Sequence, residues 1–309
     1  MRNTLIVITG PTAVGKTGLC LDIAERHGMP IINADSRQIY RDMSIGTAKP
    51  TAEELQRVRH YFVNTLSLDD YYSASIYEQE VMDLLPRLFA ENNGRALLTG
   101  GSMMYIDAVC NGIDDIPTIR DDIRQTMKER LEREGLEALV EELRTLDPEH
   151  YDIVDRKNTR RVVHALEICH QTGKTYTSFR KKQTRQRPFD IVKIALTRNR
   201  EELYNRITAR VDKMMEQGLE DEARRLLPKR ELNALNTVGY KEMFEYFDGN
   251  WALEEAVERL KGNTRRYARK QLTWFKRDES VKWFTLDEDN RKLHNFIDDI
   301  ITNGKYEQD

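Results

Sequence analysis

Gly10-Pro-Thr-Ala-Val-Gly-Lys-Thr17 fits the spacing G-x-x-x-x-G-K-[ST] at every fixed position. Just before it, Leu5-Ile-Val-Ile-Thr9 is a short apolar, β-branched run, the pattern of a buried strand. Just after it, Leu19, Ile23 and Ala24 recur on one helical face, with polar residues elsewhere. Strand, loop and helix thus follow in the order that a phosphate-binding loop requires. Gly10 and Gly15 let the backbone fold tightly through Pro11, Thr12, Ala13 and Val14 and turn its N–H groups inward. Those donors and the helix N-terminus make a cradle for phosphate oxygens. Lys16 adds a mobile positive charge, and the Thr17 hydroxyl is placed to hold Mg²⁺. The loop implies a di- or triphosphate. It does not say whether that group is a phosphoryl donor or a leaving group.

Composition sets the frame around this loop. The chain has 309 residues, 39% hydrophobic and 33% charged, with a net charge of −3, as in a surface-rich globular protein. Cys20, Cys110 and Cys169 lie far apart, and the 6 histidines have no metal-binding spacing. Neither a disulfide framework nor a zinc site is expected. The N-terminus lacks a leader pattern, and no apolar run is long enough to span a bilayer, so no membrane association is expected. The expectation is a cytoplasmic protein, and nothing demands more than a monomer.

Residues 29–34 read as a second strand that delivers Asp35-Ser-Arg-Gln38 at its C-terminal end, where open α/β sheets bind ligands. Asp35 in that place is expected to be catalytic rather than a helix cap. Residues 45–50, Ile-Gly-Thr-Ala-Lys-Pro, form a punctuated turn. Thr51 with Glu54, and Ser75 with Glu78, match capping boxes and predict two helix starts. Arg95-Ala-Leu-Leu-Thr-Gly-Gly-Ser102 is a third strand ending in two glycines. A kinase or ATPase would carry an acid there to hold Mg²⁺ through water. Thr99, Gly100, Gly101 and Ser102 stand in its place, which weakens an NTP-hydrolysis reading. The glycines suggest close approach of a ligand to the backbone, or simply a tight turn into a helix beginning near Met103.

From Pro117 the texture changes. Residues 119–146 are a highly charged helical stretch, broken at Asp147-Pro148. Asn158 is a plausible N-cap for a helix that stops at Gly173. Strand pattern returns at residues 189–196, so 117–188 reads as a helical insertion between core segments 1–116 and 189–309. Arg206 and Arg210 share one face of the next helix, where they meet surface acids or supply charge to a diphosphate. A strand at 281–286 and an amphipathic helix at 293–301 close the chain. The expected class is α/β, a P-loop NTPase-like core with a parallel sheet flanked by helices, plus the helical insertion.

Two basic runs stand out. Residues 156–187 hold ten basic residues against one acid, and residues 259–277 hold eight against none, the latter interleaved with Tyr267, Trp274 and Phe275. A small anion needs less positive charge than this, whereas a nucleic-acid backbone uses it.

Taken together, these residues resemble the tRNA dimethylallyltransferases, or tRNA isopentenyltransferases, of bacterial type. The resemblance covers nearly the whole chain. It rests on residues 10–17, Asp35-Ser-x-Gln-Ile-Tyr40, Ile45-Gly-Thr-Ala-Lys-Pro50, Gly100-Gly-Ser-x-x-Tyr105, Thr237-Val-Gly-Tyr-Lys241 and Arg269-Lys-Gln-x-Thr-Trp274. It implies transfer of a dimethylallyl group from dimethylallyl diphosphate to the exocyclic amine of adenosine 37, just 3′ of the anticodon. The tRNAs concerned read codons beginning with U. The resemblance also implies roles. Lys16, Thr17 with Mg²⁺, and Arg210 would neutralise the diphosphate that leaves. Asp35 would accept the amine proton, and Ser36, Arg37 and Gln38 would meet the flipped base. Ser102, where the family usually has Thr, keeps the hydroxyl of a catalytic and tRNA-contacting position. In the insertion, Arg124 and the stretch Arg160, Arg161, Val162, Val163, His164 would contact the anticodon stem-loop. Gly239, Tyr240 and Lys241 would contact tRNA, as would Arg269, Lys270, Gln271 and Trp274.

Two other classes compete. A small-molecule kinase would need an acid at residues 99–102 and no basic runs. A non-catalytic RNA-binding switch would bind tRNA equally well without Asp35.

Overall fold

A computed structural model of the chain describes residues 2–181, 184–286 and 290–303. It falls into two compact units, Met1–Asn111 with Gln186–Asp309, and Gly112–Arg185. In chain order the first unit opens with β1 (Thr4–Thr9), α1 (Lys16–His27), β2 (Ile31–Asn33), α2 (Ala52–Arg57) and β3 (His60–Tyr61). Helix α3 (Ala74–Glu91), strand β4 (Arg95–Thr99) and helix α4 (Met103–Asn111) follow. The second unit holds α5 (Asp121–Leu146), α6 (Pro148–Ile153), α7 (Thr159–Thr172) and α8 (Tyr176–Phe179). The first unit resumes with β5 (Asp190–Thr197), α9 (Arg200–Glu216), α10 (Leu219–Leu226), α11 (Tyr240–Phe247), α12 (Leu253–Phe275), β6 (Lys282–Thr285) and α13 (Arg291–Asn303).

The strands form one parallel sheet in the order β3-β2-β4-β1-β5-β6. A parallel sheet needs both faces covered, and alternation along β1 assigns them. Ile6 and Ile8 join Val192, Ile194 and Leu196 under α1, α9 and α13. Leu5 and Val7 join Ile32, Ala96 and Leu98 under α3 and α4. All six residues of β1 are buried, so the strand before the phosphate loop is the middle of the core. Register then places the site. Ile8 pairs with Thr99, Thr9 with Ala195, and Asn33 with Thr99. The carboxyl ends of β1, β2, β4 and β5 therefore lie level, and residues 10–17, 35–38 and 100–102 emerge together along one rim. This is the expected α/β class with a parallel sheet.

Several local expectations change. Thr51 and Glu54 do form the capping box of α2. The second box does not form: α3 is capped by Ser73, whose Oγ accepts the Ile76 N–H at 3.2 Å. Glu78 is instead buried against Arg187, whose Nη2 lies 2.6 Å from its Oε1. Arg187 also donates to the Val109 and Ala108 carbonyls, so it is a core cation and leaves the basic run. Breaking a buried pair of this kind costs about 3–5 kcal/mol. Lys182 of that run lies outside the described residues.

In the second unit the charged stretch is two helices, not one. Gly135 adopts φ 79° and ψ 169° within α5. Arg130 consequently reaches both Glu134 and Glu142 at 2.8 Å. Twelve residues along a straight helix would separate the latter pair by roughly 18 Å. Asn158 and Gly173 do cap α7, and Val162, Ala165 and Leu166 pack its buried side against Met127, Leu139 and Leu143. The unit runs over 112–185, against an expected 117–188, because Arg187 is tied into the core.

Candidate active site

Residues 10–17 leave the end of β1 and enter α1 at Lys16. Gly15 at the N-cap has φ 112°, a conformation glycine adopts at no steric cost. Ala13 is also left-handed, with φ 65°, a strained position for a residue with a Cβ. Its carbonyl is held by Arg206 Nε at 2.9 Å, and the Val14 carbonyl by Arg198 Nε at 2.7 Å. Arg198, rather than Arg206 or Arg210, takes Glu202 as its ion-pair partner. The loop is thus shaped from outside by two arginines, and two of its own N–H groups are engaged within the protein, that of Val14 by the Pro11 carbonyl at 3.3 Å and that of Thr12 by Gln271 Oε1 at 2.9 Å.

Lys16 Nζ donates to the Gly10 and Pro11 carbonyls, each at 2.8 Å. Burial, and then the positive charge of Arg210, push its pKa down to about 8, against the opposing pull of Cys20 and Asp35. Burial also lowers the pKa of Arg210, with Asp35 acting against it. Lys16, Arg210 and Asp35 therefore share one electrostatic neighbourhood. Two cations beside one carboxylate leave that neighbourhood short of negative charge, which a diphosphate supplies. A lysine of pKa near 8 gives a testable sign. It is charged below about pH 8 and becomes neutral above it. The affinity gap for pyrophosphate between the unaltered chain and Lys16→Met should be widest below pH 8 and shrink above it. Titration calorimetry across pH 6.5–9.5 reads this directly, and a gap that is constant with pH would contradict it.

Asp35 follows β2. Its Oδ1 accepts the N–H groups of Arg37 at 2.9 Å and Gln38 at 3.3 Å, closing a turn and leaving Oδ2 unengaged by these bonds. Capping and catalysis are thus compatible readings of one carboxylate. The turn is braced by Ser102, whose Oγ accepts the Ser36 N–H at 2.8 Å and donates to Ser36 Oγ at 3.0 Å. Ser102 N in turn donates to the Ala34 carbonyl at 3.0 Å. No acid stands at the end of β4. Thr99 there accepts from the buried Cys20 thiol at 3.3 Å. The paired glycines make room for the protein's own atoms rather than for a ligand. A Cβ on Gly100 would lie 2.2 Å from the Ala34 carbonyl oxygen, and one on Gly101 2.7 Å from Gln271 Nε2.

The turn at 45–50 completes the rim. Arg210 Nη2 reaches the Thr47 carbonyl at 3.4 Å, and Gln38 Nε2 donates to the same oxygen at 3.1 Å. Behind the turn lies Glu222, 2% exposed. Its carboxylate accepts the N–H groups of Ser44 at 3.1 Å, Ile45 at 2.9 Å and Gly46 at 2.9 Å. It also accepts the Tyr240 hydroxyl at 2.7 Å. Gly239 N–H is held in the same way by buried Glu242 at 2.7 Å.

The other predicted contacts divide by exposure. Lys241, Arg269 and Lys270 are exposed in the first unit, and Arg124, Arg160 and Arg161 in the second. Arg269 donates to Tyr204 Oη at 3.0 Å. Val163 and His164 are half-buried. Val162 and Tyr240 are 0% exposed and Gln271 1%, so the expectation that their side chains touch RNA is corrected. Val162 is core, Tyr240 serves Glu222, and Gln271 bonds Thr12 and Gly101. Trp274 donates Nε1–H to Asp107 at 2.8 Å. In the second basic run, Arg259 and Lys261 are ion-paired on α12, leaving Arg265, Arg266, Arg269 and Lys270 on the arc away from Ala268 and Gln271. Sequence reasoning passed over Arg198, Glu222 and Glu242. Each is one charged residue in an ordinary helical pattern, and only the fold brings it to a loop distant in sequence.

The sequence pattern of the IPP transferase family matches residues 38–278. The chain is 59% identical over 290 residues to a tRNA dimethylallyltransferase 1 of Bacteroides thetaiotaomicron, covering 94% of each protein. It is 44% identical over 301 residues to a tRNA dimethylallyltransferase of Christiangramia forsetii, covering 97% and 99%. Its structure is similar to the full-length tRNA isopentenylpyrophosphate transferase of Bacillus halodurans, with TM-score 0.71, 37% identity and 98% of each chain covered. A eukaryotic dimethylallyltransferase acting on tRNA matches with TM-score 0.82 over 99% of this chain and 81% of that one. At 24% identity that likeness carries the fold alone.

Proposed function

The chain belongs to the IPP transferase family, and on that premise we propose that it prenylates tRNA. It moves a dimethylallyl group from dimethylallyl diphosphate to the exocyclic amine of adenosine 37, in tRNAs reading codons that begin with U. One observation carries the reading. A phosphate loop shares a rim with Asp35, while the neighbouring strand β4 ends in Thr99 and two glycines instead of a carboxylate. The rim can grip a diphosphate and receive a proton, but it offers no acid at that strand end to organise an attacking water.

In the reaction the amine nitrogen bonds to the allylic carbon as that carbon's bond to the diphosphate oxygen breaks. Lys16, Arg210 and the start of α1 take up the charge of the departing diphosphate. Asp35 Oδ2 receives the amine proton, since Oδ1 is engaged by the turn. Ser36, Arg37 and Gln38 line the approach of the flipped base, and Ser102 holds their turn in place. An aromatic amine is a weak nucleophile, so orientation supplies much of the rate.

Mg²⁺ fits the donor set. Thr17 is an exposed residue at the start of α1, and among the described residues no cluster of three or more His, Cys, Asp or Glu competes for the ion. Mg²⁺ often takes one protein ligand with substrate phosphates and water, and when bound it neutralises diphosphate charge. In the second unit Arg124, Arg160, Arg161 and His164 are the proposed anticodon stem-loop contacts; in the first unit Lys241, Arg269 and Lys270 are proposed tRNA contacts. Among the described residues no helix is long and apolar enough to cross a membrane. The tRNA substrate suits a monomer working in the cytoplasm.

The test is incubation with Mg²⁺, dimethylallyl diphosphate and a tRNA of this class, followed by mass spectrometry of the digested nucleosides. A five-carbon addition to adenosine is expected, and its absence would overturn the reading. Removing charge at Arg265 or Arg269 should weaken tRNA binding, flatten its salt slope by about one, and leave diphosphate affinity within about twofold. An unchanged slope would make this run a solvated face.

A further inference from the structure

Helix α12 presents different chemistry on its two sides. Outward, Arg265, Arg266, Arg269 and Lys270 form a cationic arc. Inward, Gln271 is 1% exposed and has no surface to offer RNA. Its Oε1 accepts the Thr12 N–H at 2.9 Å, and its Nε2 donates to the Gly101 carbonyl at 2.8 Å. Tyr267, one turn earlier, donates to that same carbonyl at 3.2 Å. One amide therefore spans two loops more than 80 residues apart in sequence, the phosphate loop and the turn that ends in Ser102. Ser102 holds Ser36, the neighbour of Asp35. The chain of bonds runs from the leaving-group cradle, through Gln271, to the carboxylate turn.

The chemistry at position 271 is specific. One end must accept and the other must donate. A carboxylate of the same length would set a negative oxygen against the Gly101 carbonyl, and an apolar side chain would leave the half-buried Thr12 N–H without its acceptor and the Gly101 carbonyl with Tyr267 alone. Gly101 is matched to this arrangement, since its Cβ would meet Gln271 Nε2 at 2.7 Å.

We propose that Gln271 is a positioning residue for the diphosphate site: its amide locks the phosphate loop to the Gly101–Ser102 turn, so that leaving-group grip and proton acceptor are held as one piece. This rests on the reading above that the loop takes the diphosphate of the prenyl donor.

The experiment compares Gln271→Glu and Gln271→Met by calorimetry with Mg²⁺-pyrophosphate, and separately by tRNA binding at two salt concentrations. Pyrophosphate affinity should fall about tenfold or more in both variants, with tRNA affinity and its salt slope within about twofold of the unaltered chain. Gly101→Ala should weaken pyrophosphate binding in the unaltered chain and add less than about twofold in a Gln271→Ala background, where the amide it displaces is gone. Weakened tRNA binding with unchanged pyrophosphate binding would overturn the inference, as would additive losses in the double variant. Parallel loss of both affinities with a lowered melting temperature would make Gln271 a general strut and equally end it. No pyrophosphate binding by the unaltered chain would sink the reading of the loop itself.

Discussion

Asp35→Asn should retain tRNA binding within about twofold and lose about 10²–10⁴-fold in transfer rate. The substitution separates two jobs of one side chain. Asparagine keeps the Oδ1 that accepts the Arg37 and Gln38 N–H groups, so the turn survives. It loses the charge and the basic oxygen proposed to take the amine proton. Asp35→Ala removes both functions and should add about 1 kcal/mol of lost capping to the same rate defect. Single-turnover rates with saturating tRNA and dimethylallyl diphosphate read the shared rate defect, and chemical denaturation separates the two variants. Asp35 also supports the charge on Lys16, whose pKa is already about 8. Asp35→Asn should therefore move the Lys16-dependent fall in pyrophosphate affinity to lower pH. Normal turnover in Asp35→Asn would remove the residue from the mechanism.

Glu222→Ala should cost about 3–5 kcal/mol of stability and most of the activity, although the residue lies behind the rim. Three backbone N–H groups and the Tyr240 hydroxyl converge on this one carboxylate. Truncation leaves the buried Tyr240 hydroxyl and the half-buried Ile45 and Gly46 N–H groups without their acceptor, while exposed Ser44 can turn to water. The turn they organise carries the Thr47 carbonyl against which Arg210 and Gln38 rest, so its loosening reaches the diphosphate site. Glu222→Gln keeps one acceptor oxygen and should recover part of the loss. Chemical denaturation measures the stability term. Unchanged stability and rate in Glu222→Ala would mean that the turn is held by its other contacts, among them Lys49 Nζ on the Tyr40 carbonyl at 2.7 Å.

Much of the site was readable because phosphate chemistry needs contiguous residues. Residues 10–17 must be adjacent to wrap one anion, so their spacing survives as a string, and the flanking apolar periods of two and 3.6 identify strand and helix. That Asp35 emerges on the same rim was readable from its place after the next strand. What failed had a common cause. Ser75 satisfied a capping pattern, but burial of Glu78 against Arg187 moved the cap to Ser73. The charged stretch 119–146 gave no sign of a break before Asp147, yet at Gly135 its helix turns back. Gln271 and Tyr240 belong to stretches that suggested RNA contact, and both point inward, because a helix assigns its faces only when it packs.

Sequence alone determined the parallel α/β core, the glycine-rich strand–loop–helix at residues 10–17, the lack of an acid after β4 and the family to which the chain is similar, since each is written in local pattern or contiguous motif. Only the tertiary structure decided which buried polar groups join the loops of the site. Gln271 reaches Thr12 across 259 positions and Glu222 reaches the turn at Gly46 across 176. A hydrogen bond forms between groups that the fold brings within about 3 Å, and no local periodicity records that separation.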